Sequence, residues 1–576
     1  MAFWSLLFYS YCLQAQYKWG NPQTQTYSVV RGQAWMDELK GAYARLPLRA
    51  EKEVRKPVWD LSQNSAGLSV AFRSNASTIK VRYVVKGGLS MPHMPATGVS
   101  GLDLYATDGN GVSRWCRGKY NFGDTITYSY DNLTYFTDPA KGYEFELYLP
   151  PYNTVSWMEI GVPQDTSFRF LPVSQEKPLV IYGTSIAQGA CASRPGMIWG
   201  NIINRQLQHP VINLGFSGNG KLEPELFNLL SEIDAKLYII DCMPNLPGKE
   251  ASKVIYERTL AGFKKLREKS QAPILLVEHS GYTGEYSNKE EEESYRVANI
   301  ELRRAYEDLL KDNAAKLYYL TKEEIGLTMD AMVEGVHPSD LGMQQYADSY
   351  MKKIKEILHE GDMKKASTSC IPCKQQRDPY DWNERHEQVL KMNKESSPEI
   401  LMIGNSITHY WGGEPIADKQ HGKNAWKNLF GDRKVRNLGF GWDKTENVLW
   451  RIYHGELDGY AAKTIFLMIG TNNLPFNTDE EVVEGIHEVV KAIRFRQPQA
   501  KLCVIGILPR KDMEARVDKV DKALQNSLKT ENITFINITP KLTDKKGLII
   551  PSLFMDGLHP NEQGYERIAE VLKTHL

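Results

Sequence analysis

Leu401-Met-Ile-Gly-Asn-Ser406-Ile is an apolar run that ends in a polar turn, and it has a near copy in Leu179-Val-Ile-Tyr-Gly-Thr-Ser185-Ile. Each copy is followed by Asn-Leu-Gly-Phe, containing Gly439 or Gly215, and later by His-Pro. Ser185 precedes Gly215 by 30 residues, and Ser406 precedes Gly439 by 33. A fold can repeat through its hydrophobic pattern alone, but repeated serine, glycine and histidine at strand ends indicate repeated chemistry.

The length and charge of the chain set the first limits. Its 576 residues leave room for about three or four domains of ordinary size. Lys and Arg number 70, as do Asp and Glu, so no global field recruits nucleic acid or acidic lipid, and no nucleic-acid partner is expected. Beyond the N-terminus no stretch approaches about 18 apolar residues, so no membrane span is expected.

The N-terminal residues 1–16 are apolar and resemble a secretory signal, with Leu13-Gln14-Ala15 as a candidate cleavage site. The positive residues that usually open such a signal are missing, and a ragged apolar terminus is the alternative. The interpretation predicts a secreted or periplasmic protein. In an oxidising compartment, Cys370 and Cys373 are expected to form a local disulfide rather than to hold a metal.

Three regions with different patterns follow. Residues 17–175 contain short alternating runs, such as 68–73 and 143–149, separated by turn-forming clusters, which predicts an antiparallel β-sandwich. Residues 176–360 and 376–576 alternate apolar runs with long amphipathic segments, and residues 361–375 have the composition of a linker.

The alternation of strands and helices predicts a parallel sheet covered on both faces in each of the last two regions. Each closes with a helix after His-Pro, at 343–358 and 565–576, and residues 380–393 are expected to form a helix of the second unit. The candidate strands are 179–182, 211–214, 237–240 and 274–277 in the first unit, and 400–403, 435–438, 465–469 and 502–507 in the second.

The blocks of the second unit supply the parts of a nucleophilic site. Ser406 directly follows a buried strand, which places it at the carboxyl edge of the sheet, where open α/β folds bind ligands. A serine hydroxyl needs a base, which His559 can provide, and Asp556 can orient the imidazole. The N–H groups of Ser406 and Gly439, with the side chain of Asn472, are predicted to form an oxyanion hole.

The first unit repeats this set with changes. Ser185 and His337 are the predicted nucleophile and base, Glu334 replaces the aspartate, and Gly215 and Asn245 are the predicted oxyanion donors. Each serine alone could be explained as a helix N-cap. The recurrence of all blocks in order argues against that explanation, although a first copy that kept its spacing after losing activity remains open.

These residues resemble the SGNH (GDSL-like) hydrolase family, in which four blocks supply serine, glycine, asparagine and histidine in this order. The second unit is most similar to the catalytic subunits of platelet-activating-factor acetylhydrolase. Gly101-Leu-Asp-Leu-Tyr105 resembles the motif of an N-terminal β domain fused to such hydrolases. The resemblance implies two tandem three-layer α/β/α domains with a flavodoxin-like parallel sheet. It also implies hydrolysis of small acyl esters without metal or cofactor.

The expected function is a secreted serine esterase that removes acyl groups, above all O-acetyl groups, from carbohydrate, with an O-acylated glycan or a small-molecule ester as substrate. This step rests on analogy with the family. The alternatives are a lysophospholipase or thioesterase, and a glycan-binding protein with inactive hydrolase domains. Trp411 and Trp442 can stack on a sugar ring, but core packing is the more frequent explanation for tryptophan.

Overall fold

The structure is a computed structural model, which describes residues 16–133, 142–361, 367–376, 380–529 and 533–576. The candidate signal segment, up to residue 15, lies outside the described residues. The chain divides into two compact units. The first runs to residue 351 and the second from residue 352, except that residues 109–111 and 174–177 pack with the second.

The N-terminal region contains two antiparallel sheets, as predicted. Their strand orders are β1-β10-β4-β8-β7 and β11-β3-β9-β5-β6, and β2 pairs with β3. Apolar side chains from both sheets form one buried cluster. The strands are β1 (Tyr17–Gly20), β2 (Val30–Arg31), β3 (Ser69–Ser74), β4 (Ile79–Val85), β5 (Asp103–Thr107), β6 (Ser113–Cys116), β7 (Lys119–Asn121), β8 (Ile126–Tyr130), β9 (Tyr143–Tyr148), β10 (Val155–Pro163) and β11 (Phe168–Phe170).

The segment between β2 and β3 differs from the prediction. It contains helices α1 (Met36–Leu39) and α2 (Lys56–Ser62), and a third short helix, α3 (Ala96–Val99), follows β4. Five apolar side chains of this segment join the core of the first parallel sheet, namely Trp35, Leu46, Ala50, Val54 and Val58, whereas Tyr43 joins that of the sandwich. The first parallel-sheet domain is therefore assembled from two separate stretches of the chain.

The Gly101–Tyr105 motif joins the sandwich to the first parallel-sheet domain. The Asp103 carboxylate accepts hydrogen bonds from the backbone N–H of Gly196, at 2.9 Å, and from the guanidinium of Arg194. The same guanidinium donates to the Tyr105 hydroxyl at 2.8 Å. Burying the carboxylate is tolerable because it is paired with a cation and a backbone donor.

The first parallel sheet has the order β13-β12-β14-β15-β16, which is the flavodoxin-like order. Strands β12, β13 and β14 are buried at every position, because helices cover both faces of the sheet. The elements are β12 (Leu179–Gly183), α4 (Ser185–Gln188), α5 (Trp199–Leu207), β13 (Val211–Gly215), α6 (Pro224–Leu230), β14 (Leu237–Asp241), α7 (Gly248–Ser252), α8 (Ile255–Arg267), β15 (Ile274–Val277), α9 (Lys289–Lys311), β16 (Leu317–Leu320), α10 (Lys322–Ile325) and α11 (Asp340–Leu358).

The second parallel sheet repeats this order as β18-β17-β19-β20-β21. Its first helix is the one predicted at 380–393, and Trp382 and Val389 of that helix join the core of the second unit. The elements are α12 (Trp382–Glu395), β17 (Ile400–Gly404), α13 (Ser406–His409), α14 (Lys423–Phe430), β18 (Val435–Gly439), α15 (Thr445–Arg451), β19 (Thr464–Met468), α16 (Asp479–Arg496), β20 (Lys501–Ile505), α17 (Glu514–Leu528), β21 (Thr534–Ile536), α18 (Thr539–Leu542) and α19 (Glu562–Leu572).

The predicted disulfide is wrong in this structure, because no bond joins the sulfurs of Cys370 and Cys373. The Cys370 thiol lies buried beside the hydroxyl of Ser369, and the Cys373 sulfur lies 3.6 Å from the side-chain nitrogen of Asn447. Within the described residues, no helix combines the length and apolar character that crossing a membrane requires.

Candidate active sites

The second unit brings Ser406, His559 and Asp556 into one hydrogen-bonded chain. Ser406 is the first residue of α13, directly after β17, and its Oγ lies 2.9 Å from His559 Nε2. His559 Nδ1 lies 2.7 Å from Asp556 Oδ2. The other carboxylate oxygen accepts the backbone N–H of His559 at 2.8 Å, so one aspartate fixes both the loop and the imidazole.

The first unit has the same arrangement with glutamate as the acid. Ser185 Oγ lies 2.8 Å from His337 Nε2, and His337 Nδ1 is hydrogen-bonded to Glu334 Oε1. Glu334 Oε2 accepts the backbone N–H groups of Val336 and His337, each at 3.1 Å. The longer side chain thus reaches the imidazole while still closing the loop.

Both acids are held in the charged form. Partial burial opposes ionisation of Asp556, but the N–H groups of His559 donate to its carboxylate, and its pKa falls below the ordinary value. The pKa of Glu334 is lowered for the same reason, with hydrogen bonds from His337 outweighing its partial burial. Each ionised carboxylate can stabilise the imidazolium that forms when the histidine takes a proton.

The two serines are not N-caps. The caps are Thr184 and Asn405, and the Asn405 side chain accepts the N–H of Ile407 at 2.9 Å. Ser185 and Ser406 follow as the first helical residues, whose N–H groups have no partner within the helix. No hydrogen bond among the described residues uses either serine N–H, so both are available to an oxyanion.

The structure corrects the role of the repeated glycines. The N–H of Gly439 donates to Asn437 Oδ1 at 2.8 Å, and that of Gly215 donates to Asn213 Oδ1 at 2.9 Å, so neither is a free oxyanion donor. A Cβ on Gly439 would lie 2.2 Å from the backbone nitrogen of His409. These glycines are needed because the helix that begins at the nucleophile packs directly against the next strand.

Two residues that the sequence analysis missed are additional candidates for oxyanion donors. Gly218 and Trp442 each stand three residues after the repeated glycine, with φ of +68° and +62°. In the part of the chain that the structure describes, no hydrogen bond uses their backbone N–H groups. A tryptophan in the left-handed region is uncommon, and this conformation was the signal that sequence alone could not provide.

Asn245 and Asn472, the predicted oxyanion donors, each have a side-chain N–H group that no described hydrogen bond uses. Asn245 Oδ1 accepts the N–H of Gly220 at 3.0 Å, which leaves its NH₂ group unused among the described hydrogen bonds. Asn472 donates one N–H to the carbonyl of Asp443 at 3.0 Å and keeps a second. Each side chain therefore has an N–H group to offer to a developing oxyanion.

A buried arginine supports the end of the second strand in each sheet, and sequence reasoning missed both. Arg45, from the segment before α2, donates to the carbonyl of Gly215 at 2.6 Å and to that of Asn213 at 3.2 Å. Arg385, from α12, donates to the carbonyl of Gly439 at 2.9 Å.

A polar pocket of about 310 Å³ lies in the second unit, and Ser406 and His559 are not among the residues that line it. It includes Tyr410, whose ring centroid is 5.9 Å from that of His559. Trp411 is fully buried in the core, whereas Trp442 is 41% exposed. The pocket is lined by Tyr380, Asp381, Glu384, Arg385, Gln388, His409, Tyr410, Ile416, Ala417, Asp418 and Lys419.

A serine, a histidine and a carboxylate aligned at the carboxyl edge of a parallel sheet define a serine hydrolase site, and the described residues form two. Residues 176–355 and 402–567 match models of the GDSL-like lipase/acylhydrolase family, and residues 17–168 match the model for the N-terminus of SGNH-hydrolase-type esterases. The chain belongs to the GDSL-like lipase/acylhydrolase family, as an esterase or acylhydrolase with tandem hydrolase domains.

Similar proteins agree with this assignment. Platelet-activating factor acetylhydrolase IB subunit alpha2 of Homo sapiens is 33% identical over 196 residues, covering 33% of this chain and 81% of the relative. The Rattus norvegicus protein is 34% identical over the same shares. The crystal structure of a protein named as a GDSL-like lipase, from Bacteroides ovatus, is 31% identical with a TM-score of 0.54, covering 60% of this chain and 98% of that chain.

Proposed function

We propose that the protein is a serine esterase that releases short acyl groups, above all acetyl, from carbohydrate, and that the second unit is its main site. The observation that carries the proposal is the polar pocket lined by Tyr410, whose ring lies next to that of His559. Within it Asp381, Glu384 and Asp418 offer carboxylates to sugar hydroxyls, and tyrosine rings offer stacking faces.

The same pocket argues against a lipid substrate. A long acyl chain placed there would strip water from charged side chains without replacing their hydrogen bonds, which costs several kcal/mol. Ile416 and Ala417 are the aliphatic residues of the lining. Acetyl is small enough to need no apolar groove.

The reaction follows from the site geometry. His559 takes the proton of Ser406, and Oγ attacks the ester carbonyl. The N–H groups of Ser406 and Trp442 and the amide of Asn472 hold the oxyanion. His559 then protonates the leaving alcohol, and a water molecule, deprotonated by the same imidazole, releases the acid and restores the serine. Ser185, His337, Glu334, Gly218 and Asn245 have the same roles in the first unit.

Secretion or export to the periplasm is part of the proposal and rests on the apolar residues 1–16. N-terminal sequencing of the protein recovered from culture medium and from cell fractions tests it. A mature protein that begins after the candidate cleavage site supports export. Recovery of the uncleaved chain from the cytoplasm alone contradicts it.

The enzymatic test measures acetate released from acetylated glycans by the wild type, Ser185→Ala, Ser406→Ala and the double variant. We expect Ser406→Ala to lose most of the activity. The same variants are assayed on acyl esters of increasing chain length, and faster hydrolysis of long chains would favour the lysophospholipase or thioesterase alternative. Glycan binding without any hydrolysis would favour the binding protein.

The pocket has its own test. Asp418 is exposed and contacts no member of the triad, so Asp418→Ala is expected to raise KM for an acetylated glycan severalfold. Hydrolysis of p-nitrophenyl acetate, which has no sugar, is the control and should be unchanged. Equal effects on both substrates would show that the pocket does not bind the sugar.

A further inference from the structure

A thiol lies beside the acid and base of the first site. Cys191 stands six residues after Ser185, in the loop that follows α4. Its sulfur, a ring nitrogen of His337 and a carboxylate oxygen of Glu334 all lie within 4.8 Å of one another. The catalytic scheme above does not use this thiol.

These three side chains are the ligand types that Zn²⁺ prefers. Thiolate sulfur binds zinc at about 2.3 Å, and imidazole nitrogen and carboxylate oxygen bind at about 2.0–2.2 Å. Tetrahedral coordination at such lengths separates the ligand atoms by about 3.5 Å, which small side-chain rotations can achieve from the present spacing. Glu334 and His337 are partly exposed, so an ion can reach the cluster from solvent.

A fourth ligand is within reach from the β-sandwich region. The exposed ring of His93 is stacked on that of His337, with centroids 6.2 Å apart and planes inclined by 28°. The backbone carbonyl of His93 lies 3.8 Å from the Cys191 sulfur. The His93 imidazole therefore lies next to the cluster, and a rotation of its side chain is needed before it can serve as a fourth ligand.

We propose that the first site binds Zn²⁺ through Cys191, Glu334 and His337, and that the ion shuts this site off. The thiol proton passes to solvent as the zinc–sulfur bond forms. An imidazole bound to zinc, or held away from Ser185 by it, cannot take the serine proton. Bound zinc therefore stops attack on the ester.

The second site is an internal control. The residue six positions after Ser406 is Gly412, which has no ligand atom. Zinc inhibition is accordingly expected at the first site and not at the second, within one polypeptide.

The metal site is tested first without any assay of activity. Co²⁺ is titrated into the full chain under reducing conditions, and absorption in the near ultraviolet reports thiolate-to-cobalt charge transfer. The band is expected in the wild type, is lost in Cys191→Ser, and persists in Cys373→Ser, the matched control in the second unit. A band of equal strength in Cys191→Ser would contradict metal binding by the Cys191 thiolate.

The inhibition itself rests on the proposed esterase activity and is tested separately. Ser406→Ala leaves the first site as the hydrolase, and Ser185→Ala leaves the second. We expect Zn²⁺ to inhibit Ser406→Ala, with recovery on adding EDTA, and to spare Ser185→Ala. Adding Cys191→Ser to the Ser406→Ala chain should raise the zinc concentration needed by at least about 10-fold.

The two experiments separate the two ways of failing. If the cobalt band appears but the first site hydrolyses no ester, the metal site is supported and the esterase activity of that site is contradicted. Equal zinc inhibition of the Ser406→Ala and Ser185→Ala chains, or inhibition unchanged by Cys191→Ser, overturns the proposed switch.

Discussion

Arg45 and Arg385 are structural counterparts, although they come from unrelated parts of the chain. The guanidinium of Arg45 lies 5.0 Å from the ring centroid of Phe216, and that of Arg385 lies 5.2 Å from that of Phe440. Each phenylalanine directly follows the repeated glycine of its unit. The same support for the strand end is supplied by the segment before the first sheet in one unit and by α12 in the other.

Replacing these arginines should affect one site each. Arg45→Leu leaves buried carbonyls without donors, at about 1–3 kcal/mol each, and loosens the loop that carries Gly218. We expect a fall in acetate release by the Ser406→Ala chain and no change in the Ser185→Ala chain. Arg385→Leu should give the reverse pattern. Loss at both sites from either change would contradict independent support.

The carboxylate of each triad accepts hydrogen bonds both from its histidine ring and from the backbone of its own loop, so its side-chain length matters. Asp556→Asn and Glu334→Gln keep the shape but lose the charge that stabilises the imidazolium, so each should lower kcat of its site by about 10²–10⁴. Glu334→Asp is the sharper test, because aspartate serves in the second unit but is one methylene short here. We expect a clear loss of kcat, measured in the Ser406→Ala chain. Full activity would show that the acid makes no specific contact.

The corrected oxyanion hole predicts two different kinds of defect. Asn472→Ala removes a donor and should lower kcat by about 10²–10³, with only a small fall in the thermal midpoint from the lost hydrogen bond to Asp443. Gly439→Ala forces a Cβ against the backbone of His409 and should lower the thermal midpoint. Trp442→Gly keeps the backbone N–H, so kcat should survive. If Gly439→Ala instead keeps the wild-type thermal midpoint but has a lower kcat, Gly439 acts as an oxyanion donor after all.

Asp241 should make the first unit less stable as the pH rises. Burial raises the pKa of Asp241 to about 7, against a hydrogen bond from Tyr350. Between about pH 4 and 7 the unfolded chain loses this proton while the folded chain keeps it. The free energy of unfolding therefore falls by about 1.4 kcal/mol for each pH unit in this range. Asp241→Asn should therefore gain stability relative to wild type over this range.

Calorimetry between pH 5 and 8 measures this difference. Burial also raises the pKa of Asp521 to about 7, and Asp521→Asn provides the matched change in the second unit. Each variant should shift the unfolding of its own unit. A difference between Asp241→Asn and wild type that does not change with pH would contradict the raised pKa.

The sequence predicted the elements that periodicity and short motifs encode. Fully buried strands such as β12 read as unbroken apolar runs, and Ser406, His559 and Asp556 form the predicted contacts. The edge strands β16 and β21 were missed, because they are short and only partly buried and so lack the aliphatic run of a central strand.

Other features depend on contacts that sequence spacing does not reveal. Arg45 donates to the carbonyl of Gly215, 170 residues away, and no local pattern marks it. Gly439 was misassigned because a glycine that donates to an oxyanion and one that makes room for a helix look alike in sequence. Only the hydrogen bond from its N–H to Asn437 separates the two roles.

The two parallel sheets, and with them the two active sites, belong to one polypeptide, so the number of first sites always equals the number of second sites. Every molecule synthesised carries one of each, so their ratio cannot be altered by transcription or by unequal turnover of separate subunits. A ligand that acts on one site alone is then a means of changing that balance after synthesis. Duplication within a single chain leaves post-translational control as the way to adjust one site without the other.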